Sequence, residues 1–201
     1  MATTAQPPVG TELQPRLLSL EEFAVMKEIG VLAADERVEL LDGVVITMST
    51  VGGRHVRVIN RLAGAIQRLN DAELEISVQN PLRIGERAEF LPDIAVLRAA
   101  PDSNAVPTAA EALVVIEVAD SSRNYDRATK IPRYAAAGIP ETLLIDLVED
   151  RIERHTEPTQ GGYRQIVWVG RGERLRSVIL PGLELEVDAL LGPRSVNEAP
   201  R

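Results

Sequence analysis

The chain contains no cysteine, which excludes a disulfide framework and a thiolate metal site and makes a reducing cytoplasm its expected home. It has only two histidines, His55 and His155, so no histidine cluster with metal-ligand spacing exists. Any metal chemistry must draw on oxygen or single His ligands. His55 opens a helical segment and reads as an ordinary surface histidine, with capping or substrate contact as its other uses. No apolar run approaches the roughly 20 residues of a membrane span, and MATTAQPPVGTELQPR lacks the basic start and apolar core of a signal peptide. An intracellular protein with no membrane partner is expected. The net charge of -8 argues against broad, nonspecific attraction to nucleic acid, because phosphate binding recruits a basic surface. Internal repeats, coiled-coil heptads, a phosphate-cradling glycine loop and a nucleophile elbow are all missing.

What is present suits one packed core: 201 residues, 45% of them hydrophobic, are enough for one domain and short for two. Prolines at 7, 8 and 15 among polar neighbours mark residues 1–18 as a loose arm, residues 19–191 as the domain and residues 192–201 as a loose tail. Ser19 and Glu22 have capping-box spacing, and Gly30 lies just beyond the helix they predict. RVELLDGVVITM then reads as a hairpin turning at Asp42-Gly43. Glu39 alternates with Val38 and Leu40, so spacing alone faces it outward. Between Gly53 and Asn70, Val56, Ile59, Ala63, Ile66 and Leu69 recur at helical spacing. The arginines 54, 57, 61 and 68 fit the solvated face of that helix.

LEISVQ, PLRI and FLPDIAVL read as strands, the last with an irregularity at Pro92. Residues 98–110 form a loop of hairpin type, and ALVVIEV is the most apolar strand, expected at the centre of the sheet. A helix, YDRATKIPRYAAAG, ends at Gly138, and Pro132 inside it predicts a kink or an irregular first turn. ETLLIDL, RIERHTE, GYRQIVWV and RLRSVIL are expected to extend the sheet, and PGLELEVDALL to close with a short helical turn.

Two of these apolar strands each carry one acid, Asp93 and Glu117, and the following helix carries Lys130. A carboxylate in an apolar strand is costly unless compensated, and a divalent cation beside an ammonium compensates it. If the strands are adjacent, both carboxylates meet at one end of the sheet, with the carbonyl of Val118 or Ala119 as a further hard ligand. Lys130 would orient a water or stabilise negative charge, its pKa lowered by a metal. The competing reading is a buried ion pair that ties helix to sheet.

The order ELLDG, RHVRVINRLAGAI, PDIAVL, IEVADSSRNYDRATKIPRYAAAGIPETLLIDL, a GGY hairpin and PGLEL resembles the Uma-type restriction endonuclease family of the PD-(D/E)XK nuclease superfamily, over about residues 19–191. The resemblance implies an α+β, restriction-endonuclease-like mixed sheet flanked by helices, with an N-terminal helix and β-hairpin. It implies a Mg²⁺-dependent (or Mn²⁺-dependent) DNA endonuclease acting as a homodimer, with Asp93 and Glu117 as metal-binding acids, Lys130 as the active-site lysine and Glu39 as an additional acid; the Val118 carbonyl stays the further ligand that strand placement suggests. The superfamily's E-x-K form puts the lysine where Ala119 stands, so Lys130 must reach the site from the helix. The alternative is a noncatalytic nucleic-acid-binding or regulatory module that retains the fold, which metal binding would distinguish.

Overall fold

A computed structural model describes residues 14–33, 35–48, 50, 52–100 and 104–193. Most of the expected N-terminal arm and C-terminal tail, and positions 101–103 of the expected loop, lie outside the described residues. Helix α1 (Leu20–Glu28) starts where its cap predicts: the Ser19 hydroxyl accepts from the Glu22 N–H, and the Glu22 carboxylate accepts from the Ser19 N–H. Two backbone donors are thereby satisfied at once. Phe23 and Leu20 pack on Val38 and Leu40 of the next element.

Strands β1 (Val38–Leu41) and β2 (Val44–Thr47) form the hairpin. Its turn residues Asp42 and Gly43 have φ of 50° and 84°, the left-handed pair of a type I′ turn that Asp-Gly tolerates best. A Cβ on Gly43 would lie 2.7 Å from Leu17 Cβ and 2.9 Å from the Leu18 carbonyl oxygen. Gly43→Ala is therefore expected to cost about 2 kcal/mol or more and to lower Tm in a thermal melt by roughly 5 °C.

Helix α2 (Gly53–Gln67) is shorter than the pattern suggested: Ile59 and Ile66 are buried and Ala63 and Leu69 pack against the core as expected, His55, Val58 and Leu62 join the buried face, and Val56 alone of the expected stripe is exposed. Strands β3 (Leu74–Val78), β4 (Leu82–Arg83), β5 (Glu89–Phe90) and β6 (Ile94–Arg98) follow. FLPDIAVL is thus two strands, not one. Pro92 cannot donate to a ladder, and the chain changes sheet there: β5 joins the small sheet β2-β1-β5-β4, and β6 joins the large one.

Strand β7 (Ala112–Ala119) returns antiparallel to β6, so the connection between them is a long hairpin. The chain then crosses over through α3 (Arg123–Tyr125), a π-helical turn (Asp126–Lys130) and α4 (Ile131–Ala136) to β8 (Glu141–Asp146), which pairs parallel with β7. Pro132 has no N–H and crowds the carbonyl four residues back. The helix meets both demands by widening the preceding turn, where the Ile131 N–H reaches the Asp126 carbonyl, and by keeping Pro132 in the first turn of α4.

Strands β9 (Arg151–Thr159) and β10 (Gly162–Val169) complete the large sheet, in the order β10-β9-β8-β7-β6-β3. β7 is an inner strand, as its apolar run predicts. The expectation that RLRSVIL extends this sheet is not met: β11 (Arg174–Arg176) pairs only with β12 (Glu184–Glu186), ahead of α5 (Val187–Leu191). There Leu175, Leu185 and Leu190 instead cover the sheet face that α2 also covers. The architecture is α+β, a mixed sheet flanked by helices. Among the described residues no helix is long and apolar enough to cross a membrane.

Candidate active site

Side chains alternate along β7. Val114, Ile116 and Val118 point to the α2 side and join its core, while Val115 packs against Tyr134, and Ala119 against Ile131, on the other side. Glu117 shares the parity of Val115 and Ala119, so it emerges beneath the crossover helix. Asp93 immediately precedes β6, whose Ile94 is paired with Ile116, which sets the two acids at the same end of neighbouring strands. Both line one cavity of about 310 Å³, together with His55, Asp126 and Lys130.

The widened turn decides which side chains face this cavity. Asp126 and Lys130, at its two ends, are buried, whereas Arg127 reaches the other way to Asp146 and Glu153 and Arg133 to Asp42. Lys130 Nζ lies 2.9 Å from Glu117 Oε1 and 2.9 Å from Glu39 Oε1. Tyr134 donates to Glu117 Oε1 at 2.5 Å. Position 119 holds a fully buried alanine, and its carbonyl accepts from the Leu147 N–H, so the ammonium comes from the helix.

Glu39 corrects the outward reading of its strand. It has no exposed surface; the Leu91 N–H and the Tyr125 hydroxyl donate to it at 2.8 and 3.2 Å. It does not line the cavity but stands behind Lys130. His55 corrects the surface reading: it is buried, and its Nε2 is 2.9 Å from Asp93 Oδ1. Gln79 Nε2 also donates to Oδ1, at 3.1 Å, and the Val118 N–H to Oδ2, at 2.8 Å. The sequence held a signal for His55, since it continues the stripe Val58, Ile59, Leu62, Ile66 one turn back. Asp126 carried a weaker one, four residues before Lys130. Tyr134 and Gln79 carried none.

The electrostatics are unbalanced toward negative charge. The cavity wall presents Asp93, Glu117, Asp120 and Asp126 against Arg37 and Lys130. Burial pushes Glu117 up to about 8: the Lys130 ammonium opposes this, but Asp126, Asp93 and Glu39 add to it. Asp126 is raised by burial for the same reasons. Burial also acts to raise Asp93, yet the His55, Val118 and Gln79 bonds hold it below the ordinary carboxylate value. Two acids in one cavity thus sit in opposite states, one held as an anion and one inclined to keep its proton. Without a metal beside it, Lys130 is shifted upward. Burial would depress it, but Glu117 and Glu39 outweigh burial and hold it above the ordinary lysine value.

Among the described residues no group of three or more His, Asp or Glu side chains is arranged to hold a metal ion. A hard cation in this cavity would find two adjacent carboxylates, Asp93 and Glu117, an excess of negative charge and room for water. That donor set fits Mg²⁺, which keeps several waters and takes one or two carboxylates together with substrate oxygens.

Comparison with known proteins identifies a family and a similar fold. The profile of the Uma2 family, described as "putative restriction endonuclease", matches residues 20–188. Among solved structures, the fold is similar to that of a protein from Anabaena variabilis described as a "putative nuclease belonging to DUF820", with TM-score 0.69, 16% identity and coverage of 87% of this chain and 97% of that one. No curated protein matches.

Proposed function

The chain belongs to the Uma2 family, and from that premise we propose that it is a Mg²⁺-dependent endonuclease hydrolysing DNA phosphodiester bonds at the Asp93, Glu117 and Lys130 site, as a homodimer. The observation that carries this reading is the convergence of the Glu117 carboxylate in β7, the Asp93 carboxylate just before β6 and the Lys130 ammonium, all buried, on a cavity whose wall has more acids than bases. Family membership supports the nuclease class; the neighbour's description as a nuclease points the same way.

On this reading Asp93 and Glu117, with the Val118 carbonyl, would hold Mg²⁺, for which Mn²⁺ substitutes. The ion supplies charge neutralisation at the phosphate and a more acidic water. The chain's residues do the rest. Lys130 is held as an ammonium by Glu39 and Glu117 in the metal-free site, and its work on this reading is to hold negative charge at the phosphate or to orient a water. Glu39 is a positioning residue that keeps the ammonium from withdrawing. Tyr134 fixes one oxygen of Glu117, which leaves the other to turn toward a ligand. His55 and Gln79 hold Oδ1 of Asp93 and the Val118 N–H holds Oδ2, so this carboxylate is fixed at both oxygens and would meet a ligand through their remaining lone pairs.

The assay is cleavage of supercoiled plasmid with Mg²⁺ or Mn²⁺, with calorimetric titration of Mn²⁺ beside it. Cleavage that stops on chelation is the expected result; no metal binding and no cleavage of single-stranded, double-stranded or supercoiled DNA would end the proposal. The net charge of -8 favours a second reading, a noncatalytic module that kept the fold, and Mn²⁺ titration separates the two.

His55→Ala tests the positioning of Asp93. Loss of a hydrogen bond to a buried carboxylate is expected to cost about 1.5–3 kcal/mol of stability and roughly 10–100-fold in metal affinity. The readouts are a chemical denaturation curve and the same Mn²⁺ titration.

A further inference from the structure

Strand β10 stands at one edge of the six-stranded sheet. An edge strand offers a row of unpaired N–H and C=O groups to any other chain, and soluble proteins blunt such edges with short strands, charges or proline. The opposite edge, β3, is five residues long and carries Glu75. β10 runs for eight residues, GYRQIVWV, with Arg164 as its one charge and no proline. Two of its large apolar side chains face solvent, Ile166 at 43% and Trp168 at 59% exposure. Two residues apart in a strand, they share a face. With Ile131 and Pro132 of α4 they line a second cavity, of about 400 Å³, separate from the candidate active site.

We propose that β10 is a dimerisation strand and that its occupant is β10 of a second copy of this chain, antiparallel, so that two sheets become one. An unpaired edge calls for a strand, and the residue pattern selects a copy of itself. An antiparallel two-fold axis through Val167 sets Ile166 opposite the partner's Trp168 and Trp168 opposite the partner's Ile166. A β-branched side chain against an aromatic one is a favourable cross-strand pair, and a two-fold axis supplies it twice, which is the isologous self-complementarity of a closed dimer. Arg164 falls opposite the partner's Gly170, so the strand's only charge never meets itself. The other use of an exposed tryptophan beside arginines, stacking of a nucleic-acid base, is disfavoured because Arg127 and Arg151 are already bonded to Asp146 and Glu153.

The proposal names the partner surface of the homodimer already inferred and is independent of the chemistry at Asp93 and Glu117. It is tested on the full chain by sedimentation velocity across a dilution series, with tryptophan emission recorded at each concentration. Trp168 is the sole tryptophan, so it reports on this edge alone. The expected result is a dimer whose dissociation on dilution coincides with a red shift of the emission. Trp168→Lys and Val167→Pro should each raise the dissociation constant roughly tenfold or more, and Trp168→Lys should leave circular dichroism unchanged, and Tm unchanged at dilutions where both proteins are monomers, because position 168 is exposed. A monomer at every concentration overturns the proposal, as does a dimer whose assembly leaves the emission unmoved or survives Trp168→Lys. Emission that responds to an added oligonucleotide but not to concentration also overturns it, in favour of base stacking. Plasmid cleavage by a monomer would refute the dimer and leave the nuclease reading standing.

Discussion

Glu117→Gln is expected to abolish metal-dependent cleavage, by at least about 100-fold, while the protein remains folded. The bound on magnitude comes from groups that only support ligands, whose loss already costs 10–100-fold. The amide keeps the shape of the carboxylate and can still accept from Tyr134, so packing beneath the crossover helix survives. What disappears is an anion that a cation would need. A stability measurement in the presence of chelator gives a second, independent readout. Glu117 is held near 8 in the folded protein against an ordinary value of 4.5. Between those values the folded state binds a proton that the unfolded state has released, so this group's contribution to stability is present below pH 4.5 and is lost as pH rises toward 8. Glutamine has no such titration. The wild-type protein should therefore lose Tm relative to Glu117→Gln as pH is raised from about 5 to about 8. A variant that cleaves as well as wild type would remove Glu117 from the chemistry; parallel pH profiles of the two melts would remove the titration argument while leaving the first untouched.

The parts of this site that were legible in the sequence are those where local pattern and tertiary placement agree. The run from Ala112 to Ala119 is apolar on both faces because an inner strand is covered on both faces, and a single acid within it stands out for that reason. Asp42-Gly43 and the Ser19 and Glu22 cap are set by backbone chemistry within four residues of one another, so no distant contact could overrule them. The misread residues are those whose environment comes from far along the chain. Glu39 alternates with two apolar neighbours, yet it is buried because Leu91 and Tyr125 close over it and Lys130 pairs with it from the crossover helix. Val56 was assigned to the buried face of α2 and Val58 was not, because the two are equally apolar and only contact with β7 and α5 decides between them. RLRSVIL has strand propensity but lies beyond the sheet's last strand, where pairing with β12 was the available partner. The π-helical turn that aims Lys130 had a visible cause, Pro132, but its consequence for direction depends on where the sheet lies beneath it.

Lys130→Met should be the most destabilising single change at this site, and it should also abolish the proposed cleavage. Lys130 is 2% exposed, and its ammonium serves Glu39 and Glu117 together. Methionine fills much of the same volume but leaves buried Glu39 and Glu117 without their shared cation, Glu117 escaping the charge only by keeping its proton, and removal of one partner of a buried ion pair costs about 3–5 kcal/mol. For a chain of this size that corresponds to a fall in Tm on the order of 10 °C. Lys130→Arg keeps the charge but not the compact head that fits between two carboxylate oxygens, so partial recovery of stability without recovery of cleavage is expected. The double variant Lys130→Met with Glu39→Gln separates the two roles. Neutralising Glu39 removes one of the uncompensated charges, so the double variant should be more stable than Lys130→Met alone, a coupling of the kind contacting residues show. It should remain inactive, because the ammonium is still missing from the cavity. Equal melting temperatures for the single and double variants would mean that Glu39 does not depend on Lys130 for its compensation, and cleavage by the double variant would remove Lys130 from the proposed mechanism.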